Sequence, residues 1–174
     1  MRASWGFLFG LIALAGAAAH AADGDPVLKG APAGFSFVGR WSCAGAFGNG
    51  QTHRSMYEGV IGLGGRWLAL SETDLQPSGY VATYLIGMAG DGVHILDFDV
   101  NNAGSARYES PGWDGSSLTL SSVGTEGYAK PAPENRFIYT VVSDNHFEVT
   151  WQVKGPSGWP AGGDHLVCDR EGSG

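Results

Sequence analysis

The sequence predicts an all-β domain: a single ten-stranded antiparallel up-and-down barrel, closed by a disulfide between its first and last strands. Three observations predict it. Short segments of strand-like alternation recur along the chain, separated by compact clusters of Gly, Pro, Asn, Asp and Ser. No segment holds a convincing helical period over ten residues, and glycine, at 29 of 174 residues, is high for helices. The tight turns imply a meander, and a long meander rolls up rather than leave two edges bare. With an even strand count, the first and last strands run antiparallel and pair.

The chain opens with a positive Met1-Arg2, an apolar stretch over residues 5–18 and the small-x-small site Ala19-His20-Ala21. This is the pattern of a bacterial Sec-type secretory signal, residues 1–21, and places the mature protein in the periplasm or outside the cell. The apolar stretch is shorter than the roughly 18 residues expected of a spanning helix, so no membrane span is expected. Residues 22–34, rich in Ala, Gly, Pro and Asp, read as a flexible leader; residues 35–171 read as the barrel and 172–174 as a tail. Removing the signal removes Arg2 and takes the formal charge from -7 to -8. That acidic balance excludes nucleic acid and anionic lipid surfaces as partners, since both demand basic patches. Nothing in the pattern asks for self-association, so a monomer is expected.

The first strand is read over residues 35–47, where Phe35, Phe37, Gly39, Trp41, Cys43, Gly45 and Phe47 alternate onto one face. Gly48-Asn49-Gly50 then supplies a hairpin turn. Further strands are expected at 51–61, 66–73, 80–88, 93–100, 105–110, 117–121, 136–142, 146–153 and 164–170. In the last, Leu166 and Cys168 share a face, and Cys168 is the only intramolecular partner available to Cys43. An export signal with an even cysteine count favours that disulfide, whereas two distant cysteines make a poor metal site. The stretch 122–135, with Gly124, Gly127, Pro131 and Pro133 around Tyr128, reads as one long loop.

Gly39-x-Trp41 on the first strand and Arg170 at the end of the last resemble the calycin-type barrels, lipocalins in the broad sense. The resemblance implies that the indole caps one barrel end while the guanidinium stacks over it. Gly-x-Trp-Ser-Cys-x-Gly-x-Phe, Ser110-Pro111-Gly112-Trp113, Arg136-Phe137-Ile138-Tyr139 and the closing Cys-x-Arg look more like a group of exported bacterial proteins. These are related to a domain family of unknown function with ten-stranded barrels comparable to nitrobindins and fatty-acid-binding proteins. Nitrobindins hold haem through a histidine near the C-terminal strand, which makes His165 the haem candidate here. Against it, His165 faces opposite Leu166 and Cys168, so it points to water if those two point inward. No cofactor is otherwise expected.

No catalytic signature is present. Serines lack a neighbouring histidine and the nucleophile elbow, and no glycine loop precedes a helix. None of His53, His94, His146 and His165 has local metal-pair spacing, although His53, Ser55 and Tyr57 share a face that can turn inward. Asp97 and Asp99 share a strand face, with Arg107 placed to pair across the ladder, and are the candidates for acid–base chemistry of the barrel-isomerase kind. The aromatic strand positions favour a binding interior, because ten strands enclose more volume than eight. Tyr57, Trp67, Tyr80, Tyr84, Arg107, Tyr139 and Trp151 are the expected ligand-binding residues, and a small apolar or amphipathic molecule the expected ligand. The competing reading is a protein-interaction or inhibitor-type envelope barrel, acting through Trp113, Trp159 and the 122–135 loop.

Overall fold

The computed structural model describes residues 29–89, 92–99, 104–127 and 132–172. The signal segment and Tyr128 lie outside the described residues. The described chain forms β1 Gly39–Ala46, β2 Thr52–Gly62, β3 Trp67–Gln76, β4 Ser78–Ala89, β5 Gly92–Asp99 and β6 Ser105–Ser110. There follow β7 Trp113–Asp114, β8 Ser117–Glu126, β9 Asn135–Ser143, β10 His146–Val153 and β11 Asp164–Arg170. Ten of these are true strands, and β7 is a two-residue continuation past the Pro111-Gly112 break after β6. One 3-10 turn, Leu63–Gly65, separates β2 from β3.

All pairings are antiparallel, in the order β6-β5-β4-β3-β2-β1-β11-β10-β9-β8-β7, and β6 pairs additionally with β8. The sheet is strongly curled, but the expected closed barrel is corrected to an open one. β8 pairs with β9 only from Ser117↔Thr140 to Ser121↔Arg136, and its second half runs on along β6 instead. Pro133, two residues ahead of β9, has no N–H with which to extend that ladder. The long loop expected over 122–135 is accordingly shorter, since β8 continues through Glu126.

The disulfide is present. Cys43 and Cys168 are directly opposite in the β1–β11 ladder and both face the buried interior. Their strands are the first and last of the chain, 125 residues apart at the bridge.

The first strand is shorter than expected. Gly39 takes φ +113, a conformation that side chains avoid, and there the chain turns out of the ladder. Phe35 and Phe37 thus belong to a segment that crosses one end of the curl and plugs it. They pack edge-on against each other and with Trp41, Tyr139 and Phe147. Arg170 pins the segment from outside: its guanidinium lies 4.1 Å from the Trp41 ring and donates to the carbonyls of Ser36, Val38 and Asp144. The Trp41–Arg170 packing implied by the resemblance is therefore in place. Trp113 closes the same end, its ring 6.4 Å from Phe35.

The plug passes so close beneath β2 that Gly59 has no space for a side chain, a methyl there falling 2.1 Å from the Phe37 carbonyl oxygen. Gly59→Ala therefore displaces the plug. We expect a loss of about 1–3 kcal/mol, as for overpacked cores, read as a lowered thermal midpoint.

Candidate functional site

The interior divides into two layers. Toward the plugged end lie Leu68, Ile86, Leu118, Leu120 and Phe147, all fully buried. Phe137 bridges opposite walls, with ring centroids 5.6 Å from Tyr84 on β4 and 5.0 Å from Tyr108 on β6. Beyond this aromatic layer the inner wall turns polar, and it does so by simple alternation. On β3 the inward positions are Leu68, Leu70, Glu72 and Asp74; on β2 they are His53, Ser55, Tyr57 and Gly59. The ladder sets Tyr57 opposite Glu72 and Ser55 opposite Asp74.

Glu72 is the hub. The Tyr84 hydroxyl donates to its Oε2 at 2.6 Å, and Tyr57 hydrogen-bonds to the same carboxyl. Tyr80 extends the chain, its hydroxyl 3.3 Å from that of Tyr84. Beside it, His53 Nε2–H donates to Asp74 Oδ1 at 2.9 Å. His53, Glu72 and Asp74 are each no more than 6% exposed, and one ligand-type atom from each lies within 4.8 Å of the others. They are the described residues able to hold a metal.

Burial pushes the Glu72 carboxyl above the usual carboxylate range, against the opposing pull of hydrogen bonds from Tyr84 and Tyr57. Burial, and then the charge of Glu72, pushes the Tyr57 hydroxyl well above the usual phenol range. Because the folded Glu72 binds its proton more tightly than the unfolded one, its contribution is fully present below the unfolded pKa. It is lost as pH rises through the folded pKa. In the absence of bound cations, stability should therefore fall as pH climbs through that window, and Glu72→Gln should remove the fall. Urea unfolding of both proteins across a pH series measures this.

The cluster sits beneath the mouth of the curl. A groove of about 800 Å³ opens there between the ends of β1, β10 and β11, lined by Phe47, Trp151, Val153, Pro160, Asp164 and His165 with several glycines. Phe47 separates groove from cluster, stacked on the His53 ring at a centroid distance of 4.1 Å.

The expected binding residues divide between these regions. Tyr57 and Tyr84 hydrogen-bond to Glu72, and Tyr80 joins them through Tyr84. Tyr139 is buried in the aromatic layer, 5.3 Å from Phe37. Trp151 is half-buried at the mouth, its Nε1–H donating to Asn135 Oδ1 at 3.2 Å. Trp67 and Arg107 are corrections. Trp67 alternates with inward Leu68 and covers Gly87 on the outer face. Arg107 is exposed between inward Ala106 and Tyr108, and its register partner is Leu96.

Asp97 lies in register with Tyr84 and Ala106, and Asp99 with Ala82; their side chains lie outside the described residues. His165 is on the outer side of β11. Its Nδ1 is 3.0 Å from Thr150 Oγ1 and its Nε2 3.8 Å from Glu148. Trp113 and Trp159 stand at opposite ends: Trp159 stacks under Arg136 at 4.2 Å beside the mouth, while Trp113 is part of the plug.

Glu72 and Asp74 are the site residues that sequence reasoning missed. Their signal was available, because they continue the face of Leu68 and Leu70. No protein-family model matches the chain, and no curated protein matches it.

Proposed function

We propose that this is an extracytoplasmic binding protein that holds a small amphipathic molecule at the mouth of its curled sheet. The apolar part lies in the groove against Phe47, Trp151 and Val153, and the polar end is read by the tyrosines around Glu72. One observation carries the reading: three tyrosine hydroxyls and a carboxyl are gathered on the inner wall, and an open, largely apolar groove adjoins this cluster through Phe47, which lines the groove and stacks on His53. Binding sites combine apolar walls with a few convergent polar groups in this way. The disulfide supports the extracytoplasmic placement, as does the signal-like first segment. Among the described residues no helix is long and apolar enough to cross a membrane.

The interaction-protein reading draws less support, since Trp113 and Trp159 do not share a rim. The test is native mass spectrometry of the oxidised protein from its exporting host, with organic extraction of whatever leaves it. A reproducible adduct that Tyr84→Phe weakens and Trp67→Phe leaves alone supports the reading. A protein that carries nothing, and takes up no fatty acid or aromatic amine on titration, overturns it.

A further inference from the structure

We infer that His53, Glu72 and Asp74 form a site for a divalent metal ion of the Zn²⁺ or Mn²⁺ class. The inference goes beyond the small-molecule reading and does not depend on it, because the three residues would take the ion with or without an organic ligand.

The geometry suits an ion. His53 Nε2 and Asp74 Oδ1 are 2.9 Å apart. That is the span of two ligand atoms set at right angles around an ion with bonds of about 2.1 Å. Glu72 supplies a third donor within the 4.8 Å envelope of the group. All three project from β2 and β3, with Asp74 and Glu72 in register opposite Ser55 and Tyr57 and His53 just past the register shift at Arg54/Ser55, and sites on strands hold geometry better than sites on loops. One imidazole with two carboxylates is a donor set for borderline to hard cations, and it leaves coordination positions for water or for the polar end of a ligand.

The charge balance points the same way. Among the described residues, no Lys or Arg forms an ion pair with Glu72 or Asp74, and the basic group bonded to Asp74 is His53. Buried carboxylates are ordinarily compensated by a paired cation or a metal.

A second observation is independent of the carboxylates. The Ser55 hydroxyl is fully buried and has no hydrogen-bond partner, and it faces inward between His53 and Tyr57, directly across the ladder from Asp74. His53 Nδ1 is likewise buried without a partner. Such orphaned groups are costly, and a metal-bound water within the cluster gives the Ser55 hydroxyl an acceptor and orients the coordination sphere. Ligation through Nε2 takes the ring to its other neutral tautomer: the proton leaves Nε2 and is taken up at Nδ1 by exchange with solvent, so the ring stays neutral and Nε2 presents its lone pair to the ion.

The experiment is calorimetric titration of the untagged, oxidised, chelator-stripped protein with Zn²⁺ and with Mn²⁺, alongside Co²⁺ absorption spectra. We expect one ion per chain. Asp74→Asn and Glu72→Gln, which keep side-chain shape, should each weaken binding by more than roughly 100-fold, and Ser55→Ala by about tenfold. The Co²⁺ spectrum should show the nitrogen ligand and lose it in His53→Ala. Absence of saturable one-to-one binding overturns the inference. So does binding that Asp74→Asn and Glu72→Gln leave unchanged while both remain folded by circular dichroism. Because no organic ligand is added, failure here leaves the extraction result untouched, and the reverse holds too.

Discussion

Replacing Cys43 and Cys168 together by Ala lowers the unfolding free energy by about 4–5 kcal/mol, in the chain-entropy account of a bridge enclosing this much chain. The bridge spans 125 residues and joins first to last strand. The native side of the balance changes little. Six registered pairs, from Trp41↔Arg170 to Ala46↔His165, continue to hold β1 against β11. The effect lies in the unfolded chain, which without the bridge explores a far larger volume. Two signatures follow in guanidinium unfolding: a lowered midpoint, and a steeper slope because the unbridged unfolded state exposes more surface. Near-ultraviolet circular dichroism of the folded variant should match the parent. With typical domains stable by about 5–15 kcal/mol, the loss removes a large share of what keeps the protein folded. A change below about 1 kcal/mol would show that the unfolded chain is already held compact without the bridge.

Trp41→Ala is the second large effect, expected at about 3–5 kcal/mol. Trp41 is wholly buried, its ring 4.8 Å from Phe147 and 5.9 Å from Phe35, and its Nε1–H donates to the Phe37 carbonyl at 2.9 Å. Truncation leaves a cavity at the plug and strips that carbonyl of its donor. Arg170 depends on the same indole, so Arg170→Ala made in the Trp41→Ala background should cost less than in the parent. We expect a coupling of about 0.5–3 kcal/mol by double-mutant cycle. Strict additivity would mean that Arg170 acts only through its bonds to the Ser36, Val38 and Asp144 carbonyls.

Much of the fold was legible because alternation and turn chemistry are local. β6, β10 and β11 fall at the expected residues, and β1 pairs with β11 through the expected cysteines. The shared face of His53, Ser55 and Tyr57 followed from the same period, whereas residues 80–88 are apolar on both sides and their period does not choose Tyr84 as inward. What failed to read off depended on choices between two plausible faces. Along Trp67-Leu68-Ala69-Leu70 both sides are apolar, so only the neighbouring strands decide that the leucines go in and Trp67 goes out. Continuing that decision to Glu72 and Asp74 required accepting buried carboxylates against the ordinary preference for exposing them. Gly39 was read as a small residue on a strand face, and nothing local announces that it turns the chain through a positive φ. The opening between β8 and β9 depends on where two distant strands stop pairing, which no single segment encodes.

The plug has one more implication, which concerns how the domain sits when it is held. Gly30 lies against Trp113, and β11 runs out through Arg170 beside Asn145, so both ends of the described chain leave from the plugged side. The groove opens at the other side, where β1 ends and β11 begins. A tether joined directly to either end of the described residues, whether a surface, a fused partner or a neighbouring domain, would present the groove pointing away from its anchor. Immobilised on a sensor chip by either of those ends, the domain should keep the groove free to the passing solution.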